Sequence, residues 1–225
     1  MKLLAFDTAT DACTVAVWTD GNVHERLEIG RRHAERLLVL IDEVLAEAGT
    51  PLNSLDAIAF GRGPGSFTGL RISAGVAQGL AFGADLPVVP VSTLAALAQC
   101  GGADNVLAAL DARMQQVYWA AYVRGADGLV QLQGEEIVAA PTAVPVPSTS
   151  TWVGVGSGWE QYSQLLLQRL SDRLEQWRPG YHPLAHGIAA LGVRDFRAGK
   201  AIGAERALPV YIRDNVAVKN RRARS

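Results

Sequence analysis

The chain has 225 residues, 49% of them hydrophobic and 19% charged, which excludes a disordered protein and leaves enough apolar surface for two small domains. A formal net charge of −1 excludes capture of nucleic acid by the surface as a whole. Two cysteines, Cys13 and Cys100, make neither a disulfide framework nor a zinc cluster, and they read as reduced thiols of a cytoplasmic protein.

The apolar start at residues 3–6 meets Asp7 too soon for a signal sequence, and no window is long and apolar enough to span a membrane. Those first residues predict a strand ending at Asp7-Thr8-Ala9-Thr10. Residues 13–18 and 23–29 alternate and are rich in β-branched side chains. They predict two more strands, joined by the hairpin signal Asp20-Gly21-Asn22. Residues 32–48 predict a helix, because Ala34, Leu37, Leu38, Ile41, Val44, Leu45 and Ala48 recur at three and four, and Gly49 with Pro51 stops it. Leu40 widens this stripe and Val39 lies nearly opposite, so the helix carries more apolar surface than one core face needs. A short buried strand is predicted at 57–60, a second helix at 68–83, a strand at 88–91 and a third helix at 93–99, capped by Ser92.

Cys100-Gly101-Gly102-Ala103-Asp104 reads as a junction. Beyond it, strands are predicted at 106–110, ending at Asp111, and at 117–123 and 129–133, paired across Gly125-Ala126-Asp127-Gly128. A surface loop at 141–150 follows, then a strand at 152–155 running into the glycine turn Gly154-Val155-Gly156-Ser157-Gly158. Helices come next at 159–170 and 184–198, and residues 208–213 are extended. Each half opens with strands, makes a meander and adds helices, and each places an aspartate, Asp7 or Asp111, just after a strand. The expected fold is α/β, with two related domains, 1–102 and 103–225, and a cleft between them.

The most informative segment is Gly61-Arg62-Gly63-Pro64-Gly65-Ser66-Phe67-Thr68-Gly69-Leu70-Arg71. A glycine-rich turn opening into a helix presents backbone N–H groups at the positive end of the helix dipole, where an anion can sit. No lysine follows the glycines, so this is not a phosphate-cleaving P-loop. Candidate nucleotide or anion contacts are Asp7, Gly63, Gly65, Ser66, Thr68 and Asp111, with Arg62, Arg71 and Arg113 placed to counter the carboxylates or hold phosphate. Asp7 and Asp111 would face the cleft, or else serve as turn-formers. Ser66 lacks the glycine that a nucleophile elbow needs after it, and Ser66 or Thr68 instead reads as a helix cap.

Gly75, Gly79 and Gly83 recur at four in the second helix, each costing about 1 kcal/mol relative to alanine. Either the helix packs closely within the chain, or it offers a smooth face to another one. The residues of that second reading are Leu37, Leu40, Ile41 and Val44 on the first helix, with Arg71, Gly75, Val76 and Gly79 on the second. His182 and His186 have the spacing of a metal pair, but no carboxylate stands between them, so chance spacing is the better account and no metal is expected. The tail at 219–224 has four basic residues and reads as a solvated end or an RNA-contacting arm.

Four blocks together resemble the TsaB (YeaZ-like) family: Leu4-Ala5-Phe6-Asp7-Thr8-Ala9, Gly63 through Arg71, Asp111-Ala112-Arg113-Met114-Gln115-Gln116-Val117-Tyr118, and Pro209-Val210-Tyr211-Ile212-Arg213-Asp214-Asn215-Val216-Ala217. The resemblance implies a two-domain actin-like ATPase fold, that of sugar kinases, Hsp70 and actin. It implies a cytoplasmic, non-catalytic scaffold for threonylcarbamoyl transfer to the adenosine beside the tRNA anticodon. The implied partners are a catalytic, metal-binding paralogue and a small P-loop ATPase. tRNA is met indirectly, and the chain alone is implied to form a homodimer. No cofactor is implied for this chain, with ATP possible in the assembled complex. The alternative is an enzyme in its own right, either an ATP-dependent kinase-like protein or a protease acting on the paralogue.

Overall fold

The structure is a computed structural model that describes residues 1–30, 32–148 and 151–213; the basic tail lies outside them. Strands β1 (Lys2–Asp7), β2 (Ala12–Thr19) and β3 (Asn22–Ile29) form an antiparallel meander. Asp20 and Gly21 turn its hairpin with φ of 48° and 98°, the left-handed pair that a two-residue loop needs. Strands β4 (Ala57–Gly63) and β5 (Val88–Ser92) add in parallel beyond β1, giving the order β3-β2-β1-β4-β5.

The second sheet repeats this plan. Its strands are β6 (Asn105–Asp111), β7 (Val117–Arg124), β8 (Val130–Ala139), β9 (Trp152–Val155) and β10 (Leu174–Arg178), in the order β10-β9-β6-β7-β8. Three strands meander antiparallel and two follow in parallel, so the order read from β8 is again third, second, first, fourth, fifth. Two copies of this sheet make the actin-like fold.

Both central strands alternate between two buried faces, and that alternation builds the layers. Helices α1 (His33–Glu47) and α2 (Phe67–Ala84) cover the outer face of the first sheet. There Leu37, Ile41, Ala74 and Ala77 pack on Leu4, Phe6 and Ile58. Between the sheets lie α3 (Thr93–Cys100) and, later in the chain, α5 (Ala185–Arg197). Leu94, Leu97, Ile188 and Leu191 share one core with Leu3 and Ala5 from the first sheet and Val106 and Ala108 from the second. On the far side α4 (Ser157–Leu170) sets Trp159 and Leu166 against Leu107 and Trp119.

The halves are not independent. α5 comes from the second half of the chain yet packs across β1, β2, β4 and β5. Gly192 lets it close in, since a Cβ there would fall 2.8 Å from Ala59 Cβ. Ile202 then pairs with Val88. The division at residue 102 separates the sheets, and α5 beyond it returns to the first sheet. Two strands also differ from the sequence reading. β8 runs on to Ala139, past Gly134 at φ 84° and a register shift opposite Trp119 and Ala121, because an exposed edge strand carries no apolar alternation to mark it. β10 is a half-exposed edge strand whose Leu-Glu-Gln-Trp-Arg sequence lacks the pattern for the same reason.

Candidate functional site

The glycine motif is folded onto the end of β1. Gly61, Gly65 and Gly69 stand where the Asp7 side chain and the backbone of Thr8-Ala9 leave no room for a side chain. A Cβ on Gly61 would fall 1.9 Å from Asp7 Oδ2, one on Gly65 2.4 Å from the Ala9 carbonyl oxygen, and one on Gly69 1.9 Å from the Thr8 carbonyl oxygen. Hydrogen bonds fasten the two segments. Ser66 N–H donates to Ala9 O at 2.7 Å, and Thr8 Oγ1 donates to Gly69 O at 2.7 Å. Gly63, at φ 108°, precedes a cis proline and lies against Val210 and Leu70. Ser66 is the helix cap, accepting from Gly69 N–H at 3.4 Å, while Thr68 lies exposed in the first turn. Of the loop's amides, that of Ser66 is thus spent on a carbonyl of the chain itself.

Asp7 does not face a cleft. It is fully buried, accepting from Ala9 N–H at 2.5 Å and from Thr93 Oγ1 at 2.8 Å. Burial raises its pKa from 3.8 to about 6, against the lowering effect of those two bonds. A folded pKa above the unfolded one means the folded state holds the proton more tightly. The contribution of Asp7 to stability is therefore fully present below about pH 4 and is lost as pH rises through 6, by up to about 3 kcal/mol. Asp7→Asn keeps both hydrogen bonds, with Nδ2 donating to the threonine. Its denaturation midpoint should gain on the wild type as pH rises from 4 to 7. Parallel pH profiles of the two proteins would show that Asp7 ionises without penalty.

Asp111 has separate partners. It accepts from Arg113 N–H at 2.9 Å and Tyr162 OH at 3.3 Å, and it pairs with the Arg113 guanidinium at 3.0 Å. Arg113, Met114 and Gln115 that follow are all left-handed, at φ of 59°, 53° and 58°, a costly run for residues bearing a Cβ. The extended end of the chain ties this turn to the glycine loop. Val210 N–H donates to Arg62 O at 2.8 Å, and Arg213 donates to Ala112 O at 3.0 Å and Gln116 Oε1 at 2.6 Å. Arg62 itself is engaged by Glu136 of β8 at 3.2 Å. Glu136 also accepts from Tyr122 OH at 2.7 Å and from Ser92 Oγ, so this nearly buried carboxylate joins the two sheets. The sequence reading missed Glu136, because it sits in the polar stretch Gly134-Glu135-Glu136 that carries no signal of burial.

On the outer face of the first sheet the structure corrects half of the expected partner surface. Leu37, Leu40, Ile41 and Val44 point into the core and are at most 2% exposed, because they are the stripe that packs on the sheet. The apolar side chains left outside on α1 are Leu38 and Val39, 50% and 40% exposed. On α2 the buried face is Gly69, Leu70, Ser73, Ala74, Ala77 and Ala81, while Arg71, Gly75 and Gly79 face solvent and Val76 is half-buried. A Cβ added at Gly75, Gly79 or Gly83 would meet nothing within 4 Å. Among the described residues nothing packs on these glycines. At the start of this face Arg71 lies over the Phe67 ring, 3.7 Å from its centroid, and Tyr211 stacks beside Phe67 at 5.4 Å.

His182 and His186 turn to different neighbours. His182 lies 3.5 Å from Asp11, and His186 faces Glu25 and Cys100. Among the described residues no three His, Cys, Asp or Glu side chains are grouped to hold a metal, and no helix is long and apolar enough to cross a membrane.

Known proteins match this architecture along its whole length. A family model described as "TsaD: tRNA N6-adenosine threonylcarbamoyltransferase" matches residues 26–220. The Escherichia coli (strain K12) "tRNA threonylcarbamoyladenosine biosynthesis protein TsaB" is 43% identical over 232 residues, 97% of each chain. The protein of that name from Haemophilus influenzae is 40% identical over 97% of this chain and 96% of its own. A solved structure of YeaZ from Pseudomonas aeruginosa superposes with a TM-score of 0.86 at 44% identity, covering 93% of this chain and 99% of that one. Likeness that runs through both sheets and the glycine motif alike has one reading: the chain belongs to the TsaB (YeaZ-like) family.

Proposed function

We propose that this chain is a scaffold and activator subunit for the transfer of threonylcarbamoyl to the adenosine beside the tRNA anticodon. In this reading it acts in the bacterial cytoplasm with a catalytic, metal-binding paralogue and a small P-loop ATPase, and tRNA meets the assembly through those partners. The observation that carries it is the open glycine face of α2. Three helix-weakening residues at spacing four have no compensating contact among the described residues, and a helix from another chain could close on them to backbone distance. In the absence of the paralogue, two copies would use the same face to form a homodimer. Nucleotide chemistry is assigned to the assembly, since the glycine loop spends its close approaches on Thr8 and Ala9.

Reconstitution tests this. The chain alone should transfer no threonylcarbamoyl to tRNA, and the paralogue with its ATPase should transfer it only when this chain is added. Metal-dependent transfer by the chain alone, lost in His182→Ala, would overturn the scaffold role. So would phosphate release from ATP, or cleavage of the paralogue, by the purified chain.

A further inference from the structure

Three residues far apart in sequence meet at one end of the layer between the sheets. Cys100 closes α3, His186 stands in the first turn of α5, and Glu25 lies on β3. The sulfur is 3.5 Å from His186 Nε2. The opposite ring nitrogen, Nδ1, lies 3.0 Å from one Glu25 oxygen and 3.3 Å from the other, and the His186 N–H donates to that second oxygen at 2.8 Å. A thiol, an imidazole that reaches it and a carboxylate that orients the imidazole make up an activated nucleophile. We propose that Cys100 is a reactive thiol and a site of reversible disulfide exchange with low-molecular-weight disulfides, independent of the tRNA-modification reading.

The surroundings favour this chemistry over others. The site is open, with the His186 side chain 42% exposed and Glu25 25% exposed, and Cys100 itself is partly exposed. The contact with Cys100 and the carboxylate of Glu25 raise the His186 pKa from 6.5 to about 10. The other charges near the end of α3 are Arg178, donating to Gly101 O at 2.9 Å, and Arg124, donating to Gln99 O at 3.4 Å. Acyl transfer would need N–H donors aimed at a developing oxyanion. The amides beside the sulfur are spent: Gly101 on Leu97 and Ala98, Ala185 on Thr14, His186 on Glu25 and Gly187 on Leu184. Cys13 is the contrast, 2% exposed and with its thiol pushed up to about 11 by burial, then by Glu28 and Asp7.

In the exchange, the Cys100 sulfur anion attacks one sulfur of the disulfide. The old S–S bond breaks, a mixed disulfide forms at Cys100, and the departing thiolate takes a proton from solvent. The small disulfide is the oxidant, and a free thiol reverses the step.

The folded protein incubated with glutathione disulfide should gain one glutathione by intact mass, mapped to Cys100, with Cys13 unmodified and Cys100→Ser inert. At pH 7 the folded protein should react at least about tenfold faster at Cys100 than the urea-unfolded chain does. His186→Gln should slow the folded-state reaction at least about tenfold at the same pH; Glu25→Gln should slow it less. Circular dichroism checks that each variant is folded, and the comparison of folded with unfolded wild type is decisive without them. Modification at Cys13, labelling of the unfolded chain only, or a folded-state rate no faster than that of the unfolded chain would overturn the proposal.

Discussion

Gly69→Ala is expected to destabilise the protein by roughly 3 kcal/mol, while Gly79→Ala, further along the same helix, is expected to stabilise it by up to about 1 kcal/mol. Helix propensity alone would favour both changes equally. The difference lies in what each new methyl group meets. At Gly69 it would fall 1.9 Å from the Thr8 carbonyl oxygen and 3.4 Å from Ala9 Cα. That is backbone at the end of a fully buried strand, and it cannot yield without breaking the Thr8 hydrogen bond to Gly69 O. At Gly79 the methyl enters open space. Urea denaturation of the two variants beside the wild type reads out both signs. Equal shifts would mean that the glycine motif is not held against β1.

Gly75→Leu and Gly79→Leu are expected to leave a folded monomer that no longer assembles. A Cβ at either position meets nothing within 4 Å among the described residues, so the fold should keep its thermal midpoint to within a few degrees. Against a docked helix the same side chain is overpacking, which costs about 1–3 kcal/mol and weakens association by about 5- to 150-fold. Light scattering measures assembly with the paralogue, and with a second copy of the chain, at concentrations near the wild-type dissociation constant. Folded variants that assemble with wild-type affinity would place the interface elsewhere. Glycines kept for an interface should also make Gly79→Ala a trade, with gained stability set against weakened docking.

Local pattern made much of this fold legible, and distance hid the rest. The unbroken apolar runs of β1 and β6 give strands buried on two faces, and Asp20-Gly21 gives the hairpin, because these signals lie within a few residues. The stripe on α1 was visible too. A stripe shows that a helix has a buried face but not what covers it, so Leu37, Leu40, Ile41 and Val44 were open to being read as an interface. The glycine motif could be found but not explained: the reason for Gly69 is Thr8, 61 residues earlier. Cys100, His186 and Glu25 are joined across separations of 86 and 161 residues, and no spacing rule connects them. Glu136 and the return of α5 to the first sheet are features of the same kind.

That return also bears on how the chain is made. The inner face of the first sheet, with Leu3, Ala5, Ala57 and Ala59, is covered by residues 185–197, which leave the ribosome after most of the chain. During synthesis the first five strands therefore wait with the β1–β2 side of that face uncovered, since α3 reaches mainly β4 and β5, and contacts of such long sequence separation close slowly. Completion of the N-terminal sheet is in this sense a C-terminal event, and a chain stopped before α5 presents the quality-control machinery with a half-dressed sheet.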